Sequence, residues 1–273
     1  MELFSENLNG DKNMRIKIIK NNQLVINKSE LKKLQLAELY LNDKYHRITS
    51  EESTKEIEKR PLRFEVINFI LEKIGGKTTY LEIGVRNPED NFDKINASLK
   101  YSVDPGYENE ENNVDFKLTS DEFFEKLKSG NILNPEIKFD VVFIDGLHLA
   151  DQVEKDITNS LNYLKEDGFI VMHDCNPPTE FHAAENYYYR LSPSGGYWNG
   201  TTWKAFFNTR KRTDIYSCCI DTDWGVGIIS KKINLGPSTN VHNPYFEYYV
   251  MEKYRKESLN LVTFENFKTL VSK

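Results

Sequence analysis

The chain has 273 residues, of which 39% are hydrophobic and 29% charged, as is typical of a globular protein with one substantial core. Its net charge is −6 and its basic residues are scattered, which argues against a nucleic-acid partner. Cys175, Cys218 and Cys219 are odd in number and lack the spacing of a thiolate zinc site. No apolar run resembles a signal peptide or a membrane span, so we expect a cytoplasmic protein without membrane contact.

The N-terminal part of the chain is predicted to be an extension of the main domain. Two apolar segments between residues 15 and 27 predict a hairpin, and Ser29 is expected to cap the following helix. Residues 42–59 are charged and poor in apolar side chains, which indicates a linker or a surface flap. Pro61 suits the first turn of a helix that leads into the main domain. We therefore divide the chain into an N-terminal extension, a main domain and a C-terminal helical tail, at residues 1–59, 60–234 and 235–273.

Two apolar strands between residues 139 and 172 each end in a polar cluster. The first strand is followed by Asp145 and His148, and the second by His173 and Asp174. Apolar residues at helical spacing separate the two strands, which predicts a strand, a crossover helix and a parallel strand. A right-handed crossover brings both clusters to the same edge of the sheet, where open α/β sheets bind ligands.

Two earlier strands also end in residues that suit ligand binding. The first ends in Glu82 and Gly84, and the second ends in Asp104. An acid about 20 residues beyond a glycine turn can accept hydrogen bonds from ribose hydroxyls. Ser120 and Asp121 then stand at the start of the next predicted helix.

This order of motifs resembles the class I S-adenosylmethionine-dependent methyltransferases. Those enzymes have an acid and a glycine after strand one, an acid after strand two, Ser-Asp before the next helix and an acid after strand four. The clusters at Asp145 and Asp174 are most similar to those of small-molecule O-methyltransferases related to catechol O-methyltransferase, and of enzymes that methylate sugars. The resemblance spans residues 60–230. It implies an α/β fold with a Rossmann-like seven-stranded sheet, the last strand antiparallel, and helices on both faces.

The resemblance also implies S-adenosyl-L-methionine as the cofactor. The residues that it assigns to cofactor binding are Glu82, Gly84, Arg86, Asp104, Ser120, Asp121 and Asp145. The loop after the first strand departs from the family because it keeps only one glycine. We expect Arg86 to compensate by pairing with the carboxylate of the cofactor.

The two histidines of the clusters, His148 and His173, are the candidate bases, with Asp145 as their catalytic neighbour. Asp145 and Asp174 can supply oxygen ligands for Mg²⁺ or a similar ion, a pairing seen in the enzymes that this sequence resembles. His173 or Asn176 could complete that site. The alternative is a metal-free site in which the acids orient the histidines.

The segment from residue 180 to 200 is rich in aromatic residues, glycine and proline, which indicates a lid beside the active edge. Residues 213–221 and 225–230 are predicted to form the last antiparallel pair of strands, joined by a turn at 222–224. The aromatic-rich tail from residue 245 to 271 is predicted to be helical and to offer a packing or homodimer surface.

Acids, histidines and aromatic rings together favour O-methylation of a small polar acceptor, either a sugar or a nucleotide-linked sugar. A non-sugar small molecule methylated on oxygen or nitrogen is one alternative. A second alternative is an NAD(P)-dependent oxidoreductase, which would need a richer glycine fingerprint than Glu82 to Asn87 provides. A third is a non-catalytic nucleotide-binding module on the same fold.

Overall fold

The computed structural model describes residues 15–18, 24–186 and 192–272. The N-terminal elements are β1 (Arg15–Ile18), β2 (Leu24–Asn27), α1 (Lys28–Asn42) and α2 (Lys44–Glu58). Strands β1 and β2 pair in antiparallel fashion, which confirms the predicted hairpin strands. The turn between them lies outside the described residues.

A seven-stranded sheet forms the centre of the molecule. Its strands, in chain order, are β3 (Thr79–Ile83), β4 (Leu99–Val103), β5 (Phe139–Ile144), β6 (Leu164–Met172), β7 (Tyr216–Ile220), β8 (Val226–Ser230) and β9 (Leu261–Val262). Their spatial order is β4-β3-β5-β6-β8-β7-β9. Strands β4, β3, β5 and β6 are parallel, whereas β8 runs antiparallel to both of its neighbours. The predicted Rossmann-like sheet with its antiparallel last pair is therefore confirmed.

The seventh strand has an origin that the sequence did not indicate. Strand β9 comes from the tail and pairs in parallel with β7, although the tail was predicted to be helical. Only two residues form it, between α8 (Arg255–Leu259) and α9 (Phe264–Leu270), so its sequence carries no strand periodicity. The tail begins its helical part with α7 (Tyr248–Lys253).

Helices cover both faces of the sheet because the side chains of the central strands alternate between two cores. Val142 and Ile144 of β5 belong to the core under α4 (Ser120–Lys128), α5 (Ala150–Tyr163) and α6 (Thr202–Arg210). Val141 and Phe143 belong to the opposite core, under α3 (Arg63–Ile74) and α9. Every residue of β5 is buried, which explains its continuous apolar run.

The prediction of a linker or flap at residues 42–59 is wrong, because these residues form helix α2. Asp43 caps the helix by accepting hydrogen bonds from the backbone N–H groups of Tyr45 and His46. The buried face of α2 consists of Thr49, Ser53 and Glu56. Since this face is polar, the helix lacks the apolar periodicity on which the sequence prediction relied. Likewise, α3 begins only at Arg63, so the preceding proline lies outside its first turn.

Within the described part of the chain, no helix is both long enough and apolar enough to cross a membrane.

The buried ion pair at Asp140 provides a test of the sheet's packing. Its carboxylate accepts hydrogen bonds from the backbone N–H of Thr79 at 2.7 Å and from Nζ of Lys165 at 2.8 Å. We expect Asp140→Ala to lower the free energy of unfolding by about 1–3 kcal/mol, since it leaves the backbone N–H of Thr79 without its acceptor, whereas the Lys165 side chain is 37% exposed and can bind water. Chemical denaturation would measure this. Asp214→Ala, which breaks an exposed pair with Arg212, is the matched control and should change stability by less than about 0.5 kcal/mol. Equal losses in both variants would contradict this account.

Candidate active site

The structure brings together the polar residues that follow β5 and β6. Nε2 of His148 lies 3.3 Å from Oδ1 of Asp145, and Nδ1 of His148 lies 3.3 Å from Oδ2 of Asp174. Nδ1 of His173 lies 3.3 Å from Oδ1 of Asp145 and 3.2 Å from Oδ2 of Asp174. Each histidine thus bridges the same two carboxylates. Parallel pairing of β5 with β6 causes this convergence, because it sets both strand ends at one edge.

Two further charged residues complete the cluster, and the sequence analysis missed both. Asp223, in the turn between β7 and β8, places Oδ1 3.4 Å from Nε2 of His173. Arg63, the first residue of α3, places Nε 3.6 Å from Oδ2 of Asp145 and donates its backbone N–H to Asp223 at 2.7 Å. Both residues come from segments far apart in the chain, so strand-end motifs could not reveal them.

Several backbone angles at the cluster are unusual for non-glycine residues. Asp174, Asp223 and Trp224 have φ values of 59°, 43° and 64°. Such left-handed conformations are disfavoured for side chains with a Cβ atom and concentrate at functional sites. The turn between β7 and β8 does have a sequence signal, the order Asp-Trp-Gly at residues 223–225, which ends in a glycine at φ 90°.

Opposite charges dominate the electrostatics of the cluster. Burial disfavours the charged form of His148, but Asp174 and Asp145 outweigh it and raise its pKa to about 9. The pKa of His173 is also raised, since the same carboxylates overcome its burial. Burial would raise the pKa of Asp145, yet His173, His148 and Arg63 lower it. For Asp223, His173 and Arg63 overcome burial in the same way and lower the pKa to about 2.

A loop around residues 194–201 covers the cluster. The Trp198 ring stacks on His148 with centroids 5.2 Å apart, and Nδ2 of Asn199 donates to Oδ1 of Asp174 at 2.7 Å. Gly200 has φ +61°, and a Cβ atom there would lie 2.2 Å from the carbonyl oxygen of His148. Only glycine therefore permits the loop to approach this closely. The aromatic residues Tyr187–Tyr189 of the predicted lid lie outside the described residues.

The predicted cofactor residues line the neighbouring edge at β3 and β4. Oε2 of the buried Glu82 accepts hydrogen bonds from Tyr80 at 2.6 Å and from Asn91 at 2.8 Å. Gly84 has φ +89°, and a Cβ atom there would lie 2.2 Å from the carbonyl oxygen of Asp145. The ends of β3 and β5 consequently touch, backbone to backbone, beside the cluster.

The other predicted cofactor residues lie at the end of β4 and at the start of α4. Oδ1 of Asp104, at the end of β4, accepts hydrogen bonds from Gly106 N–H at 2.6 Å and from Asn112 at 2.9 Å. Ser120 and Asp121 open α4, and both accept a hydrogen bond from the side-chain amide of Gln152.

Two predicted residues point to partners outside the cluster. The exposed Arg86 lies 3.7 Å from Glu108 and 4.0 Å from Asp90. Asn176 accepts a hydrogen bond from Arg255 at 2.5 Å and donates to Asp221 at 3.3 Å, so its amide is bound away from the two histidines.

The donor set of the cluster fits a divalent cation. Asp145, His148 and Asp174 each offer one ligand atom, and these three atoms lie within 4.8 Å of one another. This group contains His148 where the sequence analysis had named His173. Beside it, Oδ1 of Asn199 is buried with no hydrogen-bond partner among the described residues. Carboxylate, amide and imidazole ligands suit Mg²⁺ or Mn²⁺, and an orphaned buried oxygen is unfavourable unless something binds it.

Residues 89–175 match the family model described as a methyltransferase domain. This segment, about a third of the chain, is similar to a methyltransferase domain. The match confirms the resemblance found in the motifs, and it covers β4 to the residue after Asp174. A search of curated proteins finds no match.

Among solved structures, the chain is similar to an O-methyltransferase from Bacillus cereus in complex with S-adenosylhomocysteine, at 12% identity, with 69% of this chain and 90% of that one covered and a TM-score of 0.40. It is also similar to a methyltransferase from Podospora anserina bound to S-adenosylhomocysteine, at 14% identity, 78% and 100% coverage and a TM-score of 0.40. A third is an O-methyltransferase from Streptomyces achromogenes involved in tomaymycin synthesis, at 10% identity, 73% and 96% coverage and a TM-score of 0.35.

The buried Glu82 gives a testable pH dependence. Burial raises its pKa from 4.5 to about 7, although Tyr80 and Asn91 partly oppose this. Because the folded state then holds a proton that the unfolded chain releases, the free energy of unfolding should decrease as the pH rises from about 4.5 to 7. Glu82→Gln keeps an oxygen for both donors and cannot titrate, so it should weaken this decrease and be more stable than the wild type at pH 8.

Denaturation of the ligand-free protein across pH 4.5–8 would measure the effect. The exposed Glu166→Gln, which replaces a carboxylate that is 83% exposed, should keep the wild-type slope. The interpretation of Glu82 is wrong if Glu82→Gln retains that slope as well.

Proposed function

We propose that the protein transfers the methyl group of S-adenosylmethionine to a hydroxyl of a small polar acceptor. The single observation that carries this proposal is the convergence of two histidines and two carboxylates beside an edge with an acid and a glycine after β3 and an acid after β4. In this proposal Asp104 binds the ribose, Glu82 and Gly84 adjoin the methionine part, and Ser120 and Asp121 adjoin the adenine. Asp145 lies where the cofactor edge meets the cluster, and Arg86 would pair with the cofactor carboxylate.

His148 is the base in this proposal. Both histidines face carboxylates with each ring nitrogen, but the side chain of His173 is only 9% exposed. The side chain of His148 is 20% exposed and lies at the start of α5, beneath the covering loop. The acceptor oxygen attacks the methyl carbon, the carbon–sulfur bond breaks with its electron pair on sulfur, and the hydroxyl proton passes to a ring nitrogen of neutral His148. Because the neighbouring carboxylates raise the pKa of His148 to about 9, the neutral ring is the minor form at neutral pH. His173 then serves to hold Asp145 and Asp174 in place.

Asp145, Asp174 and His148 are the residues that would hold a divalent cation, with Asn199 beside them. A bound cation would supply positive charge to stabilise the developing alkoxide. His148 would then be either a ligand or the base, and the choice depends on which of its nitrogens faces the acceptor. The protein's own contribution is to fix the two carboxylates and to exclude water through the covering loop.

A cavity of about 460 Å³ supports a polyhydroxylated acceptor. It is lined by α2, the loop after β6, Asp221 and the tail, and the cluster residues are not part of its lining. Its charged residues are Glu52, Glu56, Lys59, Asp221, Glu252 and Arg255. Its carboxylates can accept hydrogen bonds from several hydroxyls, which is the chemistry that a sugar offers, whereas the Arg255 guanidinium and the Asn176 amide already bind each other. Four acids against two bases disfavour a pyrophosphate there, so a sugar without a nucleotide fits this cavity better than a nucleotide-linked one.

The cellular setting is part of the same proposal. The three free cysteines are buried, which fits a reducing compartment such as the cytoplasm. The tail exposes Tyr245 and Tyr249, and we place the proposed homodimer contact on this surface. The division at residues 59 and 234 is retained as a proposal about domain organisation.

The acceptor class can be tested with a panel of substrates. Calorimetry should first show that the wild type binds S-adenosylmethionine but not NADH. Methyl transfer should then be measured with free sugars, nucleotide-linked sugars and phenols, with and without Mg²⁺. We expect turnover of sugars, and weaker turnover of their nucleotide-linked forms because of the acidic cavity. Turnover of phenols alone would refute the sugar acceptor but leave the methyltransferase activity standing.

The role of His148 can be tested once an acceptor is found. Loss of a general base typically lowers the rate by about 10²–10⁴, so we expect His148→Ala to lose turnover by that factor. The affinity for S-adenosylmethionine should stay within threefold of the wild type, since the cofactor binds mainly at β3 and β4. His242→Ala, at an exposed histidine of the tail, is the control and should turn over normally. If His173→Ala loses turnover while His148→Ala does not, the two histidines exchange roles.

A further inference from the structure

The segment that joins α2 to α3 is bound to the turn between β7 and β8. We call residues 56–63 the junction and residues 221–225 the β7–β8 turn. Four contacts connect them, at 2.7 to 3.3 Å between donor and acceptor: they join Lys59 to Asp221, Trp224 to Glu56, Thr222 to Pro61, and Arg63 to Asp223. Three of these contacts only attach the N-terminal helices. The fourth reaches the catalytic cluster.

We propose that Arg63 and Asp223 are positioning residues, which fix the carboxylate of Asp145 and the ring of His173 and so set the geometry in which His148 works. The catalytic consequence of this inference rests on the proposed function. The positioning of the cluster by Arg63 and Asp223 does not depend on the proposed function, because the two residues contact the cluster whatever the acceptor is.

The geometry at Arg63 supports the first half of this proposal. The backbone N–H of Arg63 and one terminal guanidinium nitrogen both face Oδ2 of Asp223, at 2.7 and 3.4 Å. On its other side, Nε faces Oδ2 of Asp145 at 3.6 Å and has no hydrogen-bond partner among the described residues. One planar guanidinium therefore lies between two carboxylates. A lysine has one charged nitrogen, so it could not reproduce the separate contacts that Nε makes with Asp145 and a terminal nitrogen makes with Asp223.

Contacts of His173 support the second half. Asp223 faces Nε2 of the ring through Oδ1, while Asp145 and Asp174 face Nδ1. A ring with carboxylates at both nitrogens has one preferred orientation, and that orientation fixes the two acids in turn. Since His148 bridges the same two acids, its position depends on theirs. A chain of contacts thus runs from Arg63 and Asp223, through His173 and Asp145, to His148.

Backbone conformation points the same way. Asp223 and Trp224 have positive φ, an unfavourable conformation for residues with a Cβ atom. A connection between two antiparallel strands does not require a buried aspartate in this conformation, because glycine or asparagine would adopt it more easily. The aspartate directs a carboxylate inward to His173 and Arg63. Its carboxylate is therefore explained by the cluster, and the turn alone does not explain it.

A purely structural role for the junction is the competing explanation, and Thr222 offers a matched control. Thr222→Val breaks a 2.7 Å contact of the same junction without touching the cluster. The test variants are Asp223→Asn, which is isosteric and keeps an acceptor for Arg63, and Arg63→Lys, which keeps the charge. Thermal unfolding should show that all three variants are folded at the assay temperature.

Two measurements decide the question without relying on turnover. The first is nitrogen-15 NMR of the histidine rings in the ligand-free protein, where Asp223→Asn should change the ring signals of His173 and Thr222→Val should not. The second is Mn²⁺ affinity by calorimetry, which we expect to change by about 10- to 100-fold in Arg63→Lys and Asp223→Asn, the range found for residues that orient metal ligands. Thr222→Val should stay within threefold of the wild type.

Once an acceptor is known, kinetics give a third measurement. We expect kcat to fall by about 10- to 100-fold in both test variants, with KM for the acceptor within threefold. The proposal is overturned if both test variants keep the His173 ring signals and the Mn²⁺ affinity of the wild type, or if Thr222→Val changes them equally. A wild type that transfers no methyl group would instead contradict the proposed function, and the NMR comparison would still decide the roles of Arg63 and Asp223.

Discussion

The convergence of three carboxylates at one sheet edge, with Asp174 and Asp223 buried and Asp145 partly buried, is the constraint on which the rest of the structure depends. Asp145, Asp174 and Asp223 all face the His173 ring at 3.2 to 3.4 Å, and carboxylates so placed repel unless positive charge lies between them. Here two histidines and one arginine supply it, and these three residues and the three carboxylates come from four different segments of the chain. The α/β sheet provides two of these segments directly, and the other two are the first turn of α3 and the β7–β8 turn. The fold therefore has to bring the N-terminal helices and the last hairpin to the same edge.

The elements that could be predicted from the sequence are those with local signals. Strand β5 shows a continuous apolar run because both of its faces are buried, and its end at Asp145 follows from the change to polar residues. Buried Val153 and Ile157 recur at helical spacing in α5. Once these two elements were recognised, the handedness of the crossover placed Asp145 and Asp174 at one edge. The order of motifs, rather than any one of them, gave the family resemblance.

The elements that could not be predicted depend on contacts between distant residues. Helix α2 packs through Ser53, whose hydroxyl lies 3.0 Å from Nε2 of His182, and through Glu56. A helix that docks by hydrogen bonds has no apolar stripe to reveal it. Arg63 and Asp223 are 160 residues apart in the chain, and neither stands in a recognisable motif. For Asn176 the error runs the other way. Its position two residues after Asp174 predicted a metal ligand, but in the structure Arg255 binds its amide.

The polar attachment of α2 also has a consequence for what counts as the folding unit. A chain cut at the sequence boundary near residue 60 would keep every strand of the sheet and all the residues named in the motifs. It would also expose the ring of His182, leave the backbone N–H of Trp224 without its acceptor and remove the cation beside Asp221. The boundary that the composition suggests near residue 60 therefore cuts through hydrogen bonds of the folded chain. A piece that keeps these three contacts has to begin with α2, the helix that the charged sequence of residues 42–59 did not reveal.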